Sequence, residues 1–187
     1  MICSHLGIIM KALNQKGRKM GPDTYEIERK YLIRYPDARL LNACESVSEI
    51  VQTYLTGGEK GYSERVRKRG GDGKYVYTHT RKKHISDVRR IEIEDEISEE
   101  EYTRLLERAD PERRTILKRR YCLSYRSQRF EIDVYPFWSD RAVMEIELSD
   151  EAQEISFPDS VAIIKEVTDD KRYTNASMAR SVPFDEI

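Results

Sequence analysis

The chain has 187 residues, 39% of them hydrophobic and 36% charged, and 33 Lys and Arg against 34 Asp and Glu give a formal net charge of -1. This length supports one domain with a real core. The recurring Tyr, Ile, Val and Leu exclude a disordered chain, and the balanced charge argues against a basic nucleic-acid binder. Cys3, Cys44 and Cys122 are odd in number and form no CxxC pair, which argues against a disulfide framework or a cysteine zinc site and for reduced thiols in a cytoplasm.

The opening MICSHLGIIMKALNQKGRKMG holds one short apolar run, Leu6 to Met10. It is too short to span a membrane, and no signal-type cleavage region follows. Residues 1–22 are expected to form a flexible leader and residues 23–187 a single domain. Thr24 to Arg34 alternates, with Tyr25, Ile27, Arg29, Tyr31 and Ile33 on one face and Glu26, Glu28, Lys30 and Leu32 on the other. Strands follow at Ile50 to Thr56 and Tyr62 to Arg69, separated by the turn Gly57-Gly58-Glu59-Lys60-Gly61. Gly70-Gly71-Asp72-Gly73 turns the chain into a strand over Lys74 to Lys82. Arg89 to Ile97 alternates again, with Arg90, Glu92, Glu94 and Glu96 on one face.

Ser98, with Glu99, Glu100 and Glu101 after it, predicts a capped helix running to about Ala109, ahead of Asp110-Pro111. Thr115 to Tyr125, Arg129 to Tyr135 and Ala142 to Leu148 read as three more antiparallel strands. Ser149 is placed to cap a short helix near Asp150 to Glu154. Val161 to Thr168 is a last strand, and Tyr173 to Ser181 a terminal helix.

A polar face on an antiparallel strand ordinarily meets water. Here several strands place like charges two apart on one face: Glu26/Glu28, Arg65/Arg67, Glu92/Glu94, Lys118/Arg120, Glu131/Asp133 and Glu145/Glu147. Such neighbours lie roughly 6–7 Å apart, so each pair repels itself unless a partner sits between them. Carboxylate pairs can share a divalent cation, and basic pairs can share phosphate. A closed antiparallel β-barrel with charged faces inward around a wet pore satisfies both. A dry interior with that many charges is costly by several kcal/mol per unpaired ion, an order-of-magnitude figure.

Glu26-Ile27-Glu28-Arg29-Lys30 is an ExExK pattern. Gln52-Thr-Tyr-Leu55, Arg65-Val-Arg67, Thr80-Arg-Lys82, Arg90-Ile-Glu-Ile-Glu94 and Ile116-Leu-Lys-Arg-Arg-Tyr121 follow it in order. Phe130-Glu-Ile-Asp133, Ala142-Val-Met-Glu-Ile-Glu-Leu148, Glu166-Val-Thr168 and Arg172-Tyr-Thr-Asn175 complete the series. Over about residues 24 to 180 this series resembles the CYTH superfamily, the triphosphate tunnel metalloenzymes. That family includes inorganic triphosphatases, thiamine triphosphatases, class IV adenylyl cyclases and fungal-type RNA triphosphatases.

The resemblance implies a mainly β, α+β fold: a closed antiparallel eight-stranded β-barrel with helices packed outside. It implies metal-dependent hydrolysis of a small-molecule triphosphate, first of all inorganic triphosphate, with Mg²⁺ or Mn²⁺ on hard oxygen ligands. The expected metal ligands are Glu26, Glu28, Glu145 and Glu147, with Asp133, Glu92 and Glu94 serving a second metal or positioning water. Lys30, Arg65, Arg67, Lys82, Arg90, Lys118 and Arg120 are the expected phosphate ligands. Lys30, Glu28 and Glu147 are expected to carry the catalytic step, attack of water on a terminal phosphoryl group.

Either Arg81 or Lys82 supplies the inward cation of its strand, and the T-x-K spacing favours Lys82. Lys165 is a further candidate, although adjacent Glu166 must then face the other way. His5, His79 and His84 fall outside the matched positions and read as surface residues, and no Walker A pattern is present. Thiamine triphosphatase and class IV adenylyl cyclase chemistry use the same barrel and are alternatives. A non-catalytic triphosphate or polyphosphate sensor is an alternative of another class, disfavoured because the ExE carboxylates are present. Neither a nucleic-acid nor a membrane partner is expected.

Overall fold

The computed structural model describes residues 27–86 and 89–187, with positions 84–86 and 89–92 described by backbone only. The leader and Glu26 lie outside the described residues, as does the side chain of every residue from 84 to 92. Among the described residues nine strands form one antiparallel sheet: β1 Ile27–Arg34, β2 Ser46–Leu55, β3 Tyr62–Gly71, β4 Lys74–Ser86, β5 Arg89–Ile97, β6 Ile116–Tyr125, β7 Gln128–Val134, β8 Arg141–Leu148 and β9 Ile163–Glu166. The order across the sheet is β5-β4-β3-β2-β6-β7-β8-β1-β9. Among the described residues no helix is long and apolar enough to cross a membrane.

The expected closed eight-stranded barrel is not formed. The sheet is open, with β5 and β9 at its two edges. Closure would require those edges to pair with each other. The four-residue β9 instead spends its pairing on β1, and its register is interrupted between Leu32 and Ile33.

Turn chemistry fixes two of the registers. Gly71 pairs with Lys74 and Tyr125 with Gln128, leaving the two-residue loops Asp72-Gly73 and Arg126-Ser127. All four loop residues have positive φ, the geometry of a type I′ hairpin whose twist matches that of the strands.

Period-two alternation sorts the side chains onto two faces. On one, Tyr31, Ile33, Leu123, Phe130, Ile132, Met144 and Ile146 pack as a core under the loop carrying Phe157 and under the short helix α1, Ala38–Asn42. Further along the same face Leu55, Val66 and Tyr77 receive Tyr102 and Leu105 of helix α2, Glu99–Leu106. Ile27 packs against the first cluster and Ile97 against the second. Full burial of such a side chain stabilises by roughly 1.5–3 kcal/mol.

Ser98 caps α2 by accepting from the Glu101 amide, as its sequence predicts. Glu101 turns to Arg104 instead of closing a capping box, and the helix ends at Leu106 rather than Ala109. No helix forms at Asp150 to Glu154, because Ser149 N–H and Oγ both donate to the Gln153 side chain and hold a turn.

The terminal helix is likewise shorter than expected. A 3-10 turn at Lys171–Tyr173 precedes α3, Asn175–Met178. This segment does not lie on the apolar outer face. Val167, Tyr173, Met178, Ala179 and Val182 pack on Leu32, Tyr54, Ile116, Tyr135 and Val143, which are apolar positions on the charged face itself. The C-terminal segment therefore plugs one end of that face and leaves its charged rows beyond the plug.

Ile146 is 1% exposed and Glu147 is its neighbour on the opposite face. Ile146→Asp places an unpaired charge in the core and is expected to remove on the order of 4 kcal/mol, enough to unfold a marginal domain. Glu147→Gln is expected to leave the urea midpoint within experimental scatter. Equal midpoints for the two variants would show that the faces have been reversed.

Candidate active site

The register carries charge across the sheet strand by strand. Lys30 of β1 faces Glu145 of β8, which faces Glu131 of β7. Glu28 faces Glu147 one row further out. Asp133 of β7 faces Arg120 of β6. On the same face, in rows nearer the other end of β6, Gln52 of β2 lies between Ile116 of β6 and Arg67 of β3, and Tyr54 faces Arg65, which faces Thr80 and then Glu94.

Like-charged cross-strand neighbours are destabilising unless bridged. The Glu131–Glu145 pair is bridged by Arg120, which bonds Glu131 and donates to Glu145 at 2.7 Å. The same guanidinium forks onto Asp133, Nε to Oδ1 at 2.7 Å and Nη2 to Oδ2 at 2.6 Å. Lys118 also bonds Asp133, at the Oδ2 that Arg120 Nη2 reaches. Lys30 sits 2.9 Å from Glu145 and 3.4 Å from Glu28.

Electrostatic shifts follow from this geometry. Burial raises the Asp133 carboxyl, but Lys118 and Arg120 outweigh it and hold the group below the usual carboxylate range. Burial lowers the Lys30 ammonium, and Glu145 and Glu28 more than restore it. Glu28 is pushed up by burial and by the charge of Glu145, against the pull of Lys30. The Arg67 guanidinium is pulled down to about 10 by burial and by the nearby charges of Arg65, Arg120 and Arg69, against the pull of Glu94.

Each expected site residue has a definite place. Lys30, Arg65, Arg67, Lys118 and Arg120 share the charged face with Glu28, Asp133, Glu145, Glu147 and Glu94. Lys118 and Asp133 are buried against each other, 6% and 0% exposed, and Asp133 has both basic partners on it. Lys82 pairs with Ser63 and so lies on the face of Arg65, whereas Arg81 lies on the other face and bonds Asp95 at 2.6 Å. Arg90 and Glu92 are placed only by register, opposite His84 and Lys82. Glu26, an expected metal ligand, lies outside the described residues.

Lys165 pairs with Leu32 and reaches Asp185 at 3.2 Å over the Tyr173 ring, which ties it to the C-terminal plug. His79 is not a free surface residue, since its ring bonds Glu64 at 3.2 Å. His5 and the His84 side chain lie outside the described residues.

The Glu166-Val167-Thr168 segment has a positioning role that residue spacing does not reveal. The Val167 amide donates to the Lys30 carbonyl at 2.7 Å, and the Lys30 amide donates to Thr168 Oγ1 at 3.0 Å. The Lys30 backbone is thus clamped from the β9 side. Gln52 and Thr80, which stand in the ordered motif series without an assigned role, also take part in the site. Gln52 accepts from Arg65 and Arg67, and Thr80 donates to Glu94 at 2.7 Å. Arg69 continues the period-two row of Arg65 and Arg67, a signal present in the sequence.

Among the described residues no three His, Cys, Asp or Glu side chains converge on one point. The donors are nevertheless of the right chemistry for a hard cation. Glu28 and Glu147 face each other on the paired strands β1 and β8, and burial together with the charge of Glu145 already disfavours ionisation of Glu28. Cys44 and Cys122 are free thiols.

A mainly-β protein with cations and carboxylates gathered on one sheet face is the class that fold and site define. No family model and no curated relative matches the chain. Two solved structures of the protein NE1496 do. One is 30% identical, with 85% of this chain and 100% of that chain covered and a TM-score of 0.59. The other, of the inorganic triphosphatase NE1496, is 29% identical, with 87% and 99% covered and a TM-score of 0.59. The protein PH1819 from Pyrococcus horikoshii OT3 is 20% identical, with 68% and 80% covered and a TM-score of 0.44. The chain belongs to the CYTH superfamily, the triphosphate tunnel metalloenzymes.

Asp133 gives the site a pH signature. Its folded pKa lies below the unfolded value of about 3.9. Its contribution is therefore complete above that value and is lost as pH falls through the folded pKa. Asp133→Asn leaves Lys118 and Arg120 without their shared anion and is expected to lower stability at pH 7 by about 3–5 kcal/mol. It should also flatten the decline below about pH 4. Urea melts from pH 7 to pH 2 check both, and a variant with wild-type stability and an unchanged acid limb would show that the pair has no structural weight.

Proposed function

We propose that the protein is a metal-dependent triphosphatase acting on a small-molecule triphosphate, most simply inorganic triphosphate. One observation carries this reading. On a single sheet face, a guanidinium pair held by a neutral acceptor lies beyond a network whose outer row is a carboxylate pair, Glu28 and Glu147. A polyphosphate with its counter-cation presents the complementary pattern of charge. The inorganic triphosphatase activity of NE1496, 29% identical over 87% of this chain, supports it.

In this reading Arg65 and Arg67 bind phosphate oxygens through their forked donors, and Lys30 contributes a compact charge at the carboxylate end. Lys82 and Arg90 are proposed as further phosphate contacts from β4 and β5. Arg120 and Lys118 fix the carboxylates, so their contribution to phosphate binding is through the field they set. Glu28 and Glu147, with Glu26 two residues before Glu28, would hold Mg²⁺ or Mn²⁺, and Glu145 anchors Lys30 beside them. When bound there, the ion would supply charge neutralisation of the phosphate and activation of water. The protein's own part is orientation: Lys30, held by Glu145 and by the β9 clamp, faces the charge that develops on the transferred group.

The test is phosphate release from inorganic triphosphate, ATP, GTP, thiamine triphosphate and longer polyphosphate, with and without Mg²⁺ or Mn²⁺, with cyclic nucleotide assayed alongside. Release is expected from inorganic triphosphate and is expected to stop with EDTA. Glu28→Gln should cut turnover by roughly 10²-fold or more without unfolding the chain. Arg67→Ala should chiefly raise KM. Metal-independent release, or normal turnover in Glu28→Gln, would defeat the metal assignment.

A further inference from the structure

Gln52 is 1% exposed, in the middle of β2, with Arg67 and Ile116 as its register partners on either side. Its Oε1 accepts from Arg65 Nη1 at 3.2 Å, from Arg67 Nη2 at 3.2 Å and from Arg67 Nε at 3.4 Å. Its Nε2 donates to Tyr54 Oη at 2.8 Å, and the Tyr54 ring lies 4.9 Å beneath the Arg113 guanidinium. Only one amide orientation is compatible with these partners, because the flipped amide would set its own N–H groups against the arginine donors.

Two half-buried guanidiniums side by side would ordinarily be given a carboxylate. This face does so elsewhere, where Arg120 meets Asp133, Glu131 and Glu145. At Arg67 it supplies an uncharged oxygen, and among the described residues Arg67 meets no carboxylate within ion-pair distance. Arg65 lies 3.9 Å from Glu94, so the guanidinium without a carboxylate is that of Arg67.

We propose that Gln52 is a positioning residue that aims Arg65 and Arg67 at the phosphates of the substrate while leaving the charge of Arg67 uncancelled by any carboxylate among the described residues. The inference rests on the triphosphatase reading. A neutral acceptor fixes the planes of both forks, which bidentate phosphate recognition requires. A carboxylate in its place would fix them equally well and compete with the phosphate for the same donors. Burial first, and then the neighbouring charge of Arg65, depress the Arg67 pKa, and an arriving anion offsets both.

Two near-isosteric variants separate aiming from charge. Gln52→Glu keeps the acceptor and adds the charge. It is expected to melt at or above the wild-type temperature yet bind inorganic tripolyphosphate at least about tenfold more weakly, with a shallower salt dependence. Gln52→Met fills the same space without an acceptor, and is expected to raise KM for tripolyphosphate more than it lowers kcat.

Calorimetric titration of tripolyphosphate, melts without ligand, and steady-state kinetics provide the readouts. Wild-type affinity in Gln52→Glu, a melt well below wild type in that variant, or an unchanged KM in Gln52→Met each overturns the proposal. If the wild-type chain itself fails to bind tripolyphosphate, the triphosphatase reading falls and takes the inference with it. If wild type binds and hydrolyses it while both variants match, only the role of Gln52 falls.

Discussion

Asp133 is wholly buried, and the rest of the charged face is organised by how that one carboxylate is satisfied. Taking an ion out of water costs several kcal/mol, to order of magnitude, unless charge and hydrogen bonds are both matched. Lys118 and Arg120, two residues apart on β6, provide the match from adjacent rows. With Arg120 fixed by Asp133, its remaining donors are aimed at Glu131 and Glu145, and Glu145 in turn holds Lys30. A chain of ion pairs thus runs from the middle of the sheet to β1, each member oriented by the one before.

The two ends of this face are treated differently. Around β6, β7 and β8, positive and negative groups cancel closely, and the network is structural. On β3 the guanidiniums of Arg65 and Arg67 share a neutral amide, and at the outer row Glu28 opposes Glu147. Like charges set side by side, positive at one place and negative at another on the same surface, repel one another in the empty protein. This is the arrangement from which binding of an anion with its counter-cation gains most.

The C-terminal segment joins fold to site. Its apolar residues cover one end of the charged face, where Leu32, Tyr54, Ile116, Tyr135 and Val143 replace charge with hydrocarbon. In the same stretch, β9 and Thr168 grip the Lys30 backbone on the side away from β8. Asp185 ties Lys165, Arg172 and Tyr173 together behind the plug. The last strand and the tail thereby stabilise the domain and hold a proposed substrate lysine in place.

Much of this was legible from the sequence because strand side chains alternate with period two. Rows such as Glu145/Glu147 and Arg65/Arg67 share a face whatever the partner strand is, and Ile132 and Ile146 must take the other. Local cap chemistry likewise sufficed for Ser98 and for the Asp72-Gly73 turn. Closure was not legible. Whether β5 meets β9 depends on twist accumulated over nine strands and on a four-residue edge strand, quantities that no local pattern encodes. Nor could spacing reveal that Arg120 would take three carboxylates or that Gln52 would serve two arginines, because those choices fall between strands far apart in the chain. The sequence by itself determined which residues share a face. Only the tertiary structure decided which of them neutralise one another, since ion pairing falls off over a few ångströms and adjacency across a sheet is set by register.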